Sequence, residues 1–249
     1  MDAPSAAPRS PLFIARFVVL ALAILAFALL VTSGPGTRAG AWSWQAGIAM
    51  MRWATYVGMA AGLGALILLV TLAVPAFRNH AWVPVTALVL AAIAIVPPLM
   101  LLGKAKSVPR IHDISTDLAE PPAFVALLEA RNGSPNGAAH GGPQVAEEQR
   151  KGYPDIKPLV LAAPPQEAMQ KAIDAARGLG WHVAASDAAG GRLEATDTTT
   201  WFGFKDDVVV RIRPEGTGSR VDVRSVSRVG LSDLGANADR IRRFLGKLQ

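Results

Sequence analysis

The chain has 249 residues, of which 51% are apolar and only 18% charged, with a formal net charge of +6 and no cysteine. The absence of cysteine excludes disulfides, thiolate metal sites and thiol nucleophiles. Beyond residue 102 the chain carries 20 basic and 18 acidic side chains, a balance that excludes the basic footprint of a nucleic-acid binder.

Charge is unevenly placed. Up to Leu102 the only Asp, Glu, Lys or Arg residues are Asp2, Arg9, Arg16, Arg38, Arg52 and Arg78. An apolar segment is therefore joined end to end with a polar one. Three stretches, 12–32, 53–74 and 81–102, meet the requirement of about 20 mostly apolar residues for a helix crossing a bilayer core ~30 Å thick. Arg16 can snorkel from the start of the first. Pro84 falls in the first turn of the third, where a missing N–H is harmless, whereas Pro97 and Pro98 predict a kink or a frayed last turn. Trp42, Trp44, Trp53 and Trp82 fall at the predicted helix ends, as in the aromatic belts of membrane proteins. Arg9, the apolar run and the small residues near Ser33 also fit a cleaved signal peptide in place of the first helix.

Ala54, Gly58 and Gly62 recur every four residues along the second stretch. Such a stripe lets helices approach closely, either inside the bundle or in an oligomer joined through Gly58 and Gly62. No Asp, Glu, Lys or His lies at mid-membrane, which argues against an ion or proton path; the bundle reads as an anchor in the lipid bilayer. Flanking charges divide between Arg9, Arg16 and Arg78 on one side and Arg38, Arg52, Lys104, Lys106 and Arg110 on the other. They leave the orientation even.

From Gly103 onward the pattern is that of a soluble domain over 104–249. Residues 111–117 read as an extended segment and 123–130 as a short helix after Pro121 and Pro122. The Gly-, Asn- and Pro-rich stretch at about 131–145 reads as a mobile loop. A strand at 158–162 and a helix at 165–179 follow. Four strands come next, at 181–185, 192–200, 206–213 and 220–227, and a final amphipathic helix begins near Asp233. Consecutive strands with short turns give an α+β domain, an antiparallel sheet with helices packed on one face. Val208, Val210, Ile212, Val221 and Val223 should face those helices. The opposite parity carries Arg211, Arg213, Arg220, Asp222 and Arg224. With a hairpin loop at 214–219, Arg213 pairs with Arg220 and Arg211 with Asp222, which leaves a basic ridge of Arg213, Arg220 and Arg224. That ridge is either a solvated face or an anion site, since guanidinium binds phosphate and carboxylate bidentately.

Several strings resemble one bacterial family of unknown function, DUF1499: IHDISTD at 111–117, YPDI at 153–156, GRLEAT at 191–196, WFGFKDD at 201–207, DVRS at 222–225, SRVG at 227–230 and SDLG at 232–235. They cover most of residues 108–248 and leave the apolar helices outside. Members often carry a membrane segment or an export signal, so the resemblance implies the cell envelope: a multi-pass protein of the bacterial inner membrane with a periplasmic C-terminal domain. No catalytic role can be carried over, because the family has no established activity.

For chemistry, His112, Asp113 and Asp117 cluster near the membrane exit. With Asp206 or Asp207 they could hold a hard cation, or His112 could act as a general base with Asp113, Asp117 or Asp207; turn and helix-cap roles explain the same residues. Serines 115, 225, 227 and 232 lie in no nucleophile elbow, and no zinc-protease or phosphate-loop pattern is present, so neither a metal nor a cofactor is expected. Trp201, Phe202 and Phe204 flank a glycine between two strands and either form an exposed apolar tip or cover the end of the sheet. Arg224, Arg228, Ser232 and Asp233, before the final helix, form the preferred ligand pocket, since a helix N-terminus binds anions. The reading is a membrane-anchored envelope module for an anionic or amphipathic ligand or an envelope protein. The alternative is a hydrolase-type enzyme built on His112.

Overall fold

Ser10 and Ser43 are polar residues placed just before long apolar runs, and each caps a helix. Ser10 Oγ accepts the Phe13 N–H at 3.3 Å and Ser43 Oγ the Ala46 N–H at 3.2 Å, which satisfies donors that a helix start leaves free. The computed structural model describes residues 10–75, 78 and 80–249; Asp2 and Arg9 of the flanking charges lie outside the described residues. The chain divides into two compact units, Met1–Gly103 and Lys104–Gln249.

The first unit is built on α1 (Pro11–Arg38), α2 (Trp44–Thr71) and α3 (Trp82–Ser107), all long and apolar enough to cross a membrane. They exceed the expected spans. At 28, 28 and 26 residues and 1.5 Å per residue they run about 40 Å, some 10 Å beyond a bilayer core. Trp53 therefore lies inside α2 rather than at its end, and α3 continues through Pro97 and Pro98 to Ser107. Most buried positions in this unit are small, among them Ala23, Ala26, Ala61, Ala65, Ala87, Ala91 and Ala94, with Leu30, Leu68, Val83 and Arg16 as larger exceptions. Leu22, Leu63, Ile67, Val70, Val89 and Met100 point outward. A bundle in water would do the reverse, and small residues inside with large apolar ones outside is the arrangement lipid favours. Hydroxyls are satisfied along their own helices, Thr32 on Ala28 O and Ser33 on Leu30 O, both at 2.6 Å. A Cβ on Gly58 would lie 3.1 Å from Ile95 Cγ1 and 3.3 Å from Ala94 Cβ, and one on Gly62 3.5 Å from Ala91 Cβ. The small-residue stripe faces α3.

The second unit holds an antiparallel sheet in the order β1-β6-β5-β4-β3, with β2 also pairing β6. Its strands are β1 (Asp113–Ser115), β2 (Leu159–Leu161), β3 (His182–Asp187), β4 (Arg192–Thr198), β5 (Lys205–Glu215) and β6 (Gly218–Ser227). With α6 (Pro165–Gly178) and α7 (Ala236–Leu248) packed on one face, the fold is α+β. Val208, Val210, Ile212, Val221 and Val223 line that face with Met169, Ile241 and Phe244, and the Trp181 ring stacks on Phe244 at 5.1 Å. The expected cross-strand pairs Arg213–Arg220 and Arg211–Asp222 are both present.

The opposite face of the sheet departs from expectation because it is covered. Residues 116–141 cross it as a strap, with Phe124 and Leu127 packed on Val209 and Val226. The helix expected over 123–130 shrinks to α4 (Leu128–Arg131). The N–H groups of Val125, Ala126 and Leu127 donate to the Glu194 carboxylate at 2.8, 3.1 and 2.9 Å, so a buried acceptor substitutes for a helical turn. Where a mobile loop is expected, Asn136 Nδ2 donates to Ser227 O and Gly230 O, and α5 (Gly142–Gly152) begins. Gln149 of α5 accepts from Ser115 N at 2.9 Å and donates to Ser115 O at 2.6 Å. It closes the open edge of β1 as a neighbouring strand would.

Candidate functional site

Alternation along β4, β5 and β6 sends every second side chain toward the strap, and most of these are charged. The expected basic ridge is ion-paired along its length and only partly exposed: Arg213 and Arg220 keep some access to solvent, and Arg224 does not. Arg224 is 2% exposed; its Nε and Nη2 donate to Asp113 at 2.9 and 2.7 Å, and it also donates to Pro122 O and Ala138 O. Arg211, Arg213 and Arg220 converge on Asp222 at 3.1 to 3.2 Å, and Arg211 and Arg220 also reach Asp117. Arg228 donates to both Asp207 oxygens at 2.8 and 2.9 Å. The strap supplies Arg131, 2.8 Å from Asp207, and Glu120, 3.0 Å from Arg213. The strap's carboxylates could not be assigned to these arginines from strand parity alone, because they arrive from about 90 residues away in sequence.

These contacts place the residues weighed for catalysis in separate partnerships. Asp113 is held by Arg224, Asp117 by Arg211 and Arg220, and Asp207 by Arg131, Arg228 and the Thr196 hydroxyl. Burial alone would raise the Asp117 carboxyl; the N–H groups of Glu120 and Ala119 and the guanidiniums of Arg211 and Arg220 outweigh it and hold the group below its usual range. Burial likewise opposes ionisation of Asp207, and Arg228, Thr196 and Arg131 overcome it, again with a lowered pKa. A carboxylate so held is a poor proton donor or acceptor near neutral pH. His112 contributes its backbone carbonyl, which accepts from Ser227 N and Asn237 Nδ2. Among the described residues no hydrogen bond joins its ring to Asp113, Asp117 or Asp207. Asp206 and Asp207 occupy opposite faces, one on Arg240 and the other on Arg131, so a shared cation site using both is ruled out by strand parity.

The loop before α7 is also internally occupied. Asp233 accepts from Gly235 N at 2.8 Å and Asn237 N at 2.7 Å, and Ser232 Oγ accepts from Leu234 N at 3.3 Å. Asp233 thus serves as a cap, and its own carboxylate fills the helix N-terminus. Its pKa is raised, first by burial and further by Asp206, against the lowering effect of those two N–H groups. Beneath α7, Asn237 Oδ1 accepts from Ser225 Oγ and from Arg240, and Asn237 Nδ2 donates to Ser227 Oγ. Arg240 is also paired with Asp206 and with Asp197 at 2.8 Å.

The aromatic turn splits by role. Phe202 is buried, and its ring stacks on Phe204 at 5.1 Å with 5° between planes, while Trp201 is 45% exposed. Gly203 sits at φ +70°, a conformation only glycine adopts freely. The turn is locked by Phe204 N on Thr199 Oγ1 and Thr199 N on Phe204 O, both at 2.9 Å.

An open cleft of about 840 Å³ lies beside this turn, lined by Leu179 and Gly180 after α6, by 197–200 at the end of β4, and by Asp239, Arg240, Arg242 and Arg243 of α7. No histidine lines it. Arg242 is engaged by Asp155 and Asp239. Arg243 donates to the Asp239 carbonyl at 3.4 Å and, among the described residues, forms no ion pair. Strand parity could not reveal these arginines. The signal available was the run Asp239-Arg240-Ile241-Arg242-Arg243, which puts guanidiniums on both the buried and the open side of one amphipathic helix.

A family description, "Protein of unknown function (DUF1499)", matches residues 113–248, more than half of the chain. The chain belongs to the DUF1499 family. The DUF1499 match spans the whole sheet with α6 and α7, and therefore both the charged face and the cleft. No curated protein matches the chain. Among solved structures it is similar to CalU16 from Micromonospora echinospora, at 18% identity, covering 36% of this chain and 72% of that one, with a TM-score of 0.25.

Proposed function

We propose that this DUF1499 protein is a binding module of the bacterial cell envelope, anchored in the inner membrane by α1–α3 with its second unit in the periplasm. The cleft beside α7 takes an anionic or amphipathic ligand. The observation that carries this reading is the contrast between the arginines opposite the strap and Arg243. Those opposite the strap are neutralised by Asp113, Asp117, Glu120, Asp207 and Asp222, whereas in the cleft, where Arg240 and Arg242 are also paired, Arg243 forms no ion pair among the described residues and stands beside the 198–200 threonine run and the apolar Leu179. A guanidinium next to hydroxyls and an apolar wall suits a carboxylate or phosphate carrying a hydrocarbon body.

Two experiments test it. Thermal stability of the full chain in detergent is measured against inorganic phosphate, octanoate and short-chain phosphatidic acid. An amphipathic anion should raise the midpoint, and Arg243→Glu should weaken the response at least tenfold; no response from any probe, or an unchanged response in the variant, refutes the reading. For placement, a reporter active only outside the cytoplasm, fused after Gln249, should be active, and activity of a cytoplasmic reporter instead overturns the periplasmic assignment.

A further inference from the structure

Two large apolar side chains are exposed at one end of the sheet. Trp201 lies in the β4–β5 turn at 45% exposure, and Leu231 in the β6–α7 loop at 65%. Strand pairing makes these loops neighbours: Thr198 of β4 pairs with Lys205 of β5, Asp206 pairs with Ser227 of β6, and Arg228 N donates to Lys205 O. The same end receives the chain from α3. Ser227 N donates to His112 O and Asp233 N to Ile111 O, so the loop bearing Leu231 is bonded to a residue four positions beyond Ser107, the end of α3.

Chain length then limits where this end can lie. The apolar run of α3 ends at Leu102. Five helical residues at 1.5 Å and four extended ones at about 3.4 Å bring Ile111 to within ~21 Å of the hydrocarbon edge at full stretch. The headgroup layer occupies the first several ångströms of that gap. Lys205 and Arg110 are exposed on this end, and Lys104 and Lys106 follow the apolar run. The acidic Asp206 and Asp207 beside the turn are buried and neutralised by Arg240, Arg131 and Arg228. An exposed tryptophan and leucine ringed by lysine and arginine, with the adjacent acids withdrawn, is the chemistry of a headgroup-level contact.

We infer that the β4–β5 turn and the β6–α7 loop form a bilayer-docking surface, with Trp201 and Leu231 seated among the headgroups of the membrane that anchors the chain and Lys205 and Arg110 against lipid phosphates. Burying both side chains removes the domain's exposed aromatic tip from water and restricts the swing of the tethered domain. Trp201 and Leu231 are not among the residues that line the cleft, although its rim at 197–200 adjoins the turn.

The chain has no cysteine, so single replacements can be labelled uniquely. Trp201→Cys, Leu231→Cys and, as an aqueous reference, Val160→Cys are spin-labelled in the full chain and reconstituted in vesicles of phosphatidylethanolamine and phosphatidylglycerol. Val160 is 59% exposed and lies on β2, which pairs with the opposite end of β6. Labels at 201 and 231 should collide preferentially with oxygen and the label at 160 with a water-soluble nickel chelate. Adding Lys205→Glu should make the label at 231 more accessible to the chelate. If the labels at 201 and 231 are as accessible to the chelate as that at 160, the surface is not a docking site and the inference fails. Because the two labelled positions lie in separate loops, a fold disturbed by losing Trp201 leaves the test at 231 intact.

Discussion

Arg131 and Asp207 meet at 2.8 Å beneath the strap with side-chain exposures of 1% and 0%, one from a short helix and the other from the start of β5. The guanidinium also donates to Val226 O, Asn136 O and Gly137 O, so one side chain fastens the strap to strands 76 and 95 positions further along the chain. Removing Asp207 leaves the buried Arg131 without a carboxylate, which costs about 3–5 kcal/mol; removing Arg131 costs less, because Arg228 still pairs with Asp207 at 2.8 and 2.9 Å. Asp207→Ala should lower the thermal midpoint sharply, and Arg131→Ala should lower it less. The double replacement Arg131→Ala with Asp207→Ala should lose less than the sum of the two, because the buried guanidinium is then removed together with its carboxylate. Additive losses in that cycle would mean that the pair is not coupled.

The same carboxylates set the acid limit of the domain. Asp117 and Asp207 have pKa values below the ordinary 3.8, so in the folded state they bind protons less readily than when unfolded. Their stabilisation is complete above that value and is lost as pH falls below it toward the folded pKa. Asp233 has the opposite sign: its pKa is raised, so its burial opposes folding at neutral pH and is relieved as pH falls through the folded value toward 3.8. Stability should therefore rise slightly on mild acidification and drop steeply below about pH 4. In urea titrations of the full chain in micelles, Asp233→Asn should remove the first limb and Asp207→Asn should flatten the second. A profile of Asp207→Asn parallel to the parent below pH 4 would contradict the assignment.

How far the sequence could be read depended on the range of the forces involved. Period-2 alternation in β5 and β6 is local, and it delivered the faces and the register, down to Arg211 opposite Asp222. Hydropathy over 20 residues delivered three helices, but not their ends, because capping by Ser43 and polar continuation past Leu102 carry no apolar signal. The strap was illegible for a physical reason. Its N–H groups are satisfied by Glu194, and its charges by Asp207, Arg211, Arg213 and Arg220, all from distant strands, so a segment with loop composition became part of the interior. The ridge of arginines was read correctly as a row, but not its ion pairs or the burial of Arg224, since strand parity names a face without saying what covers it. The α5 helix, polar throughout apart from Val145 and Ala146, lacked an apolar period to detect.

Gly58 offers a test of the anchor. An added Cβ falls 3.1 Å from Ile95 Cγ1 and 3.3 Å from Ala94 Cβ, closer than ordinary van der Waals contact, so a bulky side chain must push α3 away. Gly58→Leu should destabilise the bundle by about 1–3 kcal/mol, as overpacking does, measured as a lower detergent concentration or temperature for loss of helicity. Gly58→Ala should be mild, since Ile95 can shift by a few tenths of an ångström. Oligomeric state in cross-linking should be unchanged in both, because this stripe contacts α3; altered cross-linking with retained stability would instead place the stripe between copies.

Glu194 presents the sharpest single-residue test of the strap. It is 1% exposed, and its two oxygens accept three consecutive backbone N–H groups, an arrangement that requires an acceptor-only side chain. Glutamine in its place brings an NH2 group toward donors, so at least one of the three N–H groups is left buried without a partner. Hydrogen bonds to a charged acceptor contribute about 1.5–3 kcal/mol each, so Glu194→Gln should open the strap locally before it unfolds the sheet. Hydrogen exchange is the appropriate measurement. Protection at Val125, Ala126 and Leu127 should fall by one to two orders of magnitude, while the β5–β6 amides at Arg211 and Asp222, which lie opposite each other across those strands, should keep theirs. Equal loss at both sets would mean that strap and sheet unfold as one unit. Protection unchanged at 125–127 would mean that the carboxylate is not what holds them.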